Sequence, residues 1–176
     1  MATTTEMRLR SADATDHYRF DYKGMHRYLI ALSAYRSKKV FAVKEIVLDV
    51  LNALRESCWR HHFDVYAYCF LPDRLVMLAR GKAEYSDMKE FLATFRSLSS
   101  AALEPRLGHL LWKRKYTERV LRKKEDNRNI AADIFQLPIK AGLVSSAVEY
   151  QFQGSFVLNS VRLTEQSPGR RRQRRE

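Results

Sequence analysis

Two kinds of side chain in this sequence could bind or transform a ligand: a few scattered metal ligands and nucleophiles, and one dense basic and aromatic run. His61 and His62 are adjacent, and adjacent residues diverge on a helix or a strand, so the two rings do not easily reach one metal ion. His62 and Asp64, at i and i+2, share a face where the chain is extended and could chelate there. Solvated histidines at the C-terminal end of a helix dipole are the simpler reading. Cys58 and Cys69 lie among apolar neighbours without Cys-x-x-Cys spacing, which points to reduced core residues, not a zinc site or a disulfide. The run from Trp112 to Lys124 is different. Lys113, Arg114, Lys115 and Arg119, with Trp112 and Tyr116 between them, mix phosphate-binding charge with stacking surface, as single-strand binders do. Arg122, Lys123 and Lys124 extend it, and Arg36, Lys38 and Lys39 form a second basic segment.

The charge of the whole chain agrees with that reading. Of 176 residues, 32 are Lys or Arg and 20 are Asp or Glu, a formal net charge of +12. The balance favours a polyanionic partner, nucleic acid first and an anionic membrane surface second. Five arginines and one glutamate between Ser167 and Glu176 supply +4, so the remainder still carries about +8. The basicity is therefore not a property of the tail alone. No apolar run approaches the roughly 20 residues that span a bilayer. The first 20 residues lack the apolar core of a secretory leader. A cytoplasmic location follows as the expectation, with no membrane partner and no cofactor.

These residues need a scaffold, and the hydrophobic pattern supplies one. Residues 1–20 are polar and aperiodic and read as a flexible arm; residues 161–176 read as a disordered basic tail; residues 21–160 form the domain. Met25 to Tyr35 is apolar on both faces, as a central strand is. Val47, Val50, Leu51, Leu54 and Cys58 carry the period of one helix face over 43–60. Phe63 to Leu71 and Leu75 to Ala79 predict two strands of a hairpin turning at Pro72-Asp73. Met88, Phe91, Leu92, Phe95, Leu98 and Ala102 mark a second helix over about 86–103, with Ser86 as its N-cap. Leu110 to Arg122 predicts a fourth strand, with room for a loop inside it. A third helix starts near Glu125-Asp126 and ends before Pro138. The order β-α-β-β-α-β-α predicts an α+β, ferredoxin-like split βαβ sandwich: an antiparallel sheet with its helices on one face.

On this pattern three stretches resemble the single-tyrosine HUH transposases, in particular the REP-associated tyrosine transposases of bacteria. They are Ala67-Tyr-Cys-Phe-Leu-Pro-Asp73, Leu111-Trp-Lys-Arg-Lys-Tyr116 and Leu137-Pro-Ile-Lys-Ala-Gly-Leu-Val144, the last of which contains Lys140. A weaker fourth, Tyr150 to Ser155, stands where the family has Tyr-Pro-Trp-Ser-Ser. Together they cover about residues 22–160. The resemblance implies a metal site of two histidines directly after the Pro-Asp turn, and a nucleophilic tyrosine on the last helix that attacks a DNA phosphate while the cation polarises it. Here the histidine positions are Arg74 and Val76, and the tyrosine position is Asp133. Arginine and valine have no lone pair to give a metal.

The expectation is thus a catalytically inactive, domesticated transposase-like protein, without metal, that binds a DNA hairpin or a structured RNA for regulation or assembly. The binding residues expected are Arg36, Lys38, Lys39, Arg74, Trp112, Lys113, Arg114, Lys115, Tyr116, Arg119, Arg122, Lys123, Lys124 and Lys140. Arg74 would place a cation where the family holds its metal, able to pair with Asp133 or hold a phosphate. Asp73 and Asp133 could instead form a replacement acidic site, and Tyr116 a replacement nucleophile; a turn residue, a solvated carboxylate and a packing side chain are the simpler readings. Two alternatives stand beside this. One is an accessory or scaffold subunit with a protein partner, for example in a defence or reverse-transcriptase system. The other is a cryptic metal-dependent nuclease using His62, Asp64 or Tyr116.

Overall fold

Strand residues buried on both sides need cover on both sides, and this requirement decides the architecture. The computed structural model describes residues 20–157; the expected arm (1–20, save Phe20) and basic tail (161–176) lie outside them. The central strand β1 (Arg27–Ser33) pairs with β3 (Arg74–Gly81), which pairs with β2 (Phe63–Leu71). With β4 (Thr117–Val120) and β5 (Gln153–Gly154) at the edges, the antiparallel sheet has the order β4-β1-β3-β2-β5. Tyr28, Ile30, Leu32, Leu75, Met77 and Ala79 form one buried face with two long helices, α1 (Lys44–His61) and α2 (Met88–Leu107).

Leu29, Ala67, Cys69, Leu71, Val76 and Leu78 form the other face. It is covered by Ala131, Ile134 and Phe135 of α3 (Asn127–Phe135). The α+β antiparallel reading holds, but the expectation that all helices share one face does not. A sheet apolar on both sides must be sandwiched.

Local chemistry explains the helix ends. The Asp87 carboxylate accepts from the amides of Lys89 (2.9 Å) and Glu90 (3.2 Å), so Asp87 caps α2, not Ser86. Ser86 is buried instead, its hydroxyl donating to the His62 carbonyl (2.8 Å) and accepting from the Ala83 amide (3.1 Å). Helix α1 ends at His62, in the left-handed region at φ 55, and α2 ends at Gly108, at φ 62. Asp126 caps α3, and Pro138 falls in the first turn of the short α4 (Leu137–Lys140). The strand expected over 110–122 shrinks to four residues. Trp112 makes an isolated bridge to Ala34, and the segment between is a loop. Cys58 and Cys69 are free and buried, and burial pushes both thiols up to about 12. No helix among the described residues is long and apolar enough to cross a membrane.

Candidate nucleic-acid interface

Where β1 ends, the chain is clamped from two sides. Ala34 donates its amide to the Asp73 carbonyl (2.8 Å), and Tyr35 donates to Leu111 (2.8 Å). The Lys113 amide donates to Ser33 (2.9 Å), and its ammonium donates to the Ser37 hydroxyl (2.9 Å). These bonds bring Arg36, Lys38 and Lys39 beside Lys113, Arg114 and Lys115, although some seventy residues separate them in sequence. All six side chains are exposed. A groove of about 450 Å³ opens beside them, between α2 and the 110–114 segment, lined among others by Tyr35, Arg96, Leu110 and Arg114. The Arg96 guanidinium donates to the Lys113 carbonyl (2.8 Å) and lies 6.0 Å from the Tyr116 ring centre. Arg36 lies over the Tyr35 ring at 5.2 Å. The corner therefore presents a cleft with cations on its rim and an aromatic wall, a shape and charge suited to a phosphate backbone with an adjacent base. Tyr35 and Arg96 escaped the sequence reading; a tyrosine ending a strand just before a basic turn was the signal for the first.

Several of the expected binding residues are engaged elsewhere. Trp112 is 4 % exposed, its ring 5.3 Å from Phe41 and 5.6 Å from Phe95, with its Nε1 donating to Ser99 (2.9 Å). It is a core residue and cannot stack on a base. Arg119 pairs with Glu125 at 2.6 Å. Glu125 also accepts from the Arg122 amide (2.7 Å), and its backbone carbonyl accepts from Arg27 (2.6 Å). Burial acts to raise the Glu125 carboxyl, but the bonds from Arg119 and the Arg122 amide outweigh it and hold it below the usual carboxylate range. Arg119 thus holds a loop together. Arg122, Lys123 and Lys124 are exposed at the far end of β4 from Lys113, so the continuous basic run of the sequence is divided in two by the strand. Lys140 is exposed on α4, next to β2, and bonds to neither group.

The positions that the family resemblance assigns to chemistry are also resolved. Arg74 and Val76 lie on the sheet face that α3 covers. The Arg74 fork closes on its neighbour Asp73, at 3.0 and 3.1 Å, instead of reaching Asp133. The expected Arg74–Asp133 pair is therefore not made, because the turn already supplies a carboxylate. The Arg74 bond, against a smaller opposing effect of burial, holds the Asp73 carboxyl below its ordinary value. Asp133 is exposed. Val76 is 4 % exposed and packs in the cluster with Ile134 and Phe135. The divalent cation that the resemblance implies does not fit here: one position is an ion-paired guanidinium and the other a buried hydrocarbon. His61 bonds Thr94 (2.7 Å), His62 meets the edge of Tyr85, and Asp64 lies 3.6 Å from Lys82. No group of three His, Cys, Asp or Glu side chains among the described residues could hold a metal.

Tyr116 is half-buried, and burial first, then the Glu118 charge, raise its phenol above 10. A phenol less acidic than usual is a poorer nucleophile at neutral pH. Burial likewise raises Tyr22 and Tyr150 to about 12, with Glu118 adding to the first and Cys69 to the second. A raised phenol favours the fold while neutral; that stability is complete below pH 10 and is lost as pH rises through 12. An absorbance titration should show Tyr22 and Tyr150 ionising near pH 12, together with loss of near-ultraviolet dichroism. A single transition near 10 in an intact fold would contradict the burial of these rings.

The architecture is an antiparallel sheet with α1 and α2 on one face and α3 on the other. Among solved structures, it is similar to a REP-associated tyrosine transposase bound to a REP hairpin, with a TM-score of 0.66 and 16% identity over 79% of this chain and 81% of that one. A candidate transposase from Deinococcus radiodurans R1 is a more distant match, with a TM-score of 0.46 and 18% identity over 72% and 96%. No protein-family model matches the sequence, and no curated protein matches it at a significant level. The likeness that the motifs suggested is borne out at the level of the fold.

Proposed function

We propose that this chain is a nucleic-acid-binding protein on a transposase fold, one that grips a hairpin and leaves its strands uncut. The basic corner of Arg36, Lys38, Lys39, Lys113, Arg114 and Lys115, beside a groove lined by Tyr35, Arg96 and Arg114, carries the reading: six exposed cations meet at one corner of an already basic domain. The similar solved protein is bound to a REP hairpin, which supports a stem with an unpaired flank as the target. A structured RNA offers the same phosphate spacing and unstacked bases. Residue chemistry supports the uncut strand. In the family a phenol attacks the phosphate while a bound cation takes up its charge; here Asp133 stands in place of the phenol, and Arg74 and Val76 have no lone pair to give a metal. Binding without cleavage suits regulation or assembly.

The test uses a labelled hairpin with a short single-stranded flank, made as DNA and as RNA, with magnesium or manganese present. Salt-sensitive binding is expected, with intact strands and no detergent-resistant adduct. Cleavage or a covalent protein–DNA species would reject the inactive reading, and absence of binding to either hairpin would reject the partner.

A further inference from the structure

We propose a second binding site, around Trp59, that takes an unpaired base of a single-stranded nucleic acid. Trp59 is 76 % exposed, the most exposed large hydrophobic side chain among the described residues. Its place on α1 explains why. The buried stripe runs through Val47, Val50, Leu51, Leu54 and Cys58, and the residue after Cys58 is turned about 100° out of it. The indole stands over a groove of about 900 Å³ whose floor includes Cys58, Phe63 and Phe156.

The rim of that groove selects an anionic occupant. Arg55, Arg60 and Lys82 line it with His62, against a single carboxylate, Asp64. Arg55 lies over the Phe156 ring at 5.0 Å, and one of its nitrogens donates to Asn52 (3.5 Å). Arg60 is steadied by Glu56 (2.7 Å), one turn before it. Lys82 is held only loosely by Asp64, at 3.6 Å with half its side chain in solvent. Tyr85, 69 % exposed, meets His62 edge-on and offers a second ring beside the groove. Position along the chain adds an independent reason. Phe156 lines the groove, and residues 158–176, which follow within two positions, carry six arginines against two glutamates. An indole ringed by cations, with an arginine-rich sequence beginning two residues after a lining residue, matches a base held by stacking while its phosphates are neutralised.

The site is distinct from the cleft at Lys113. Arg74 and Lys82 stand at opposite ends of β3, about 26 Å apart at ~3.3 Å per residue. The Trp59 groove also lies toward β2, away from the β4 edge. It needs no hairpin, so it stands or falls apart from the function proposed above.

The chain has two tryptophans, one exposed and one buried, so fluorescence reads the site directly. Titration of the full chain with a short oligothymidylate should quench the solvent-exposed emission and shield it from iodide. Trp59→Leu should abolish the quench and weaken the oligonucleotide about five- to hundredfold, the range for one stacked base. Trp59→Tyr should recover most of the affinity. The triple variant Lys113→Ala, Arg114→Ala, Lys115→Ala should keep the quench. Oligonucleotide binding with Trp59 emission and iodide access unchanged overturns the proposal, as does a Trp59→Leu protein that binds equally well. Protection of Trp59 by a host protein and not by the oligonucleotide overturns it in favour of a protein partner.

Discussion

Trp112→Ala is expected to lower the stability of the folded chain by about 3–5 kcal/mol, the usual cost of truncating a large buried aromatic. The ring packs between Phe41 and Phe95, and its Nε1 hydrogen bond to Ser99 anchors the 110–116 segment to α2. Removing it leaves a void that helices fixed by Ser57 and Phe91 (2.7 Å between hydroxyl and carbonyl) do not easily close. A domain's total stability is about 5–15 kcal/mol, so a large part of it depends on one side chain. In urea the midpoint should fall by roughly 2 M, taking a slope of about 2 kcal/mol per M. Trp59→Leu, at an exposed position, should move it little. A Trp112→Ala protein with an unchanged midpoint and weaker nucleic-acid binding would instead restore the stacking role that its neighbours in sequence suggest.

The second large effect concerns charge. Lys113→Ala, Arg114→Ala and Lys115→Ala together should flatten the dependence of log K on log salt by roughly 2–3, at about 0.9 for each phosphate that the protein no longer neutralises. At 0.1 M salt this corresponds to a fall in affinity of about two to three orders of magnitude, fading toward nothing near 1 M. The loop itself should survive, because its position is set by backbone bonds: Lys113 to Ser33, Tyr35 to Leu111, and Arg96 to the Lys113 carbonyl. Arg122→Ala, Lys123→Ala and Lys124→Ala remove the same charge from the other end of β4, and serve as the control. Equal effects from both sets would mean that bulk charge, not the cleft, holds the polyanion.

The core of this fold is written in local patterns. Phe63–Leu71 was legible to the residue because it is a long apolar run bounded by a helix end and a Pro-Asp turn. The faces of α1 and α2 followed from their period. Other features depend on what the chain meets after folding. Trp112 looks like a stacking residue only while Phe41, Phe95 and Ser99 are distant in sequence. Lys113 to Lys124 reads as one patch until four residues of strand pairing place its halves at opposite ends of β4. The side of the sheet that α3 covers was implicit in β1 being apolar on both faces, yet no helix period says which side it will take. Trp59 is the opposite case: its exposure could have been read from the stripe that it misses. The Arg74–Asp73 pair could not outrank Arg74–Asp133 without knowing that the turn folds the guanidinium back on its neighbour.

The outer strands of the sheet bear on how many copies can act together. β4 is four residues long and β5 two, and exposed cations stand on both sides of β4, at Lys113–Lys115 and Arg122–Lys124. A second sheet arriving edge-on finds few free amides and carbonyls to pair with, and meets positive charge as it approaches. Once a polyanion neutralises that repulsion, the shortness of the strands remains. On the function proposed here, copies crowded along one strand of nucleic acid would therefore sit close together without their sheets zipping into a continuous assembly.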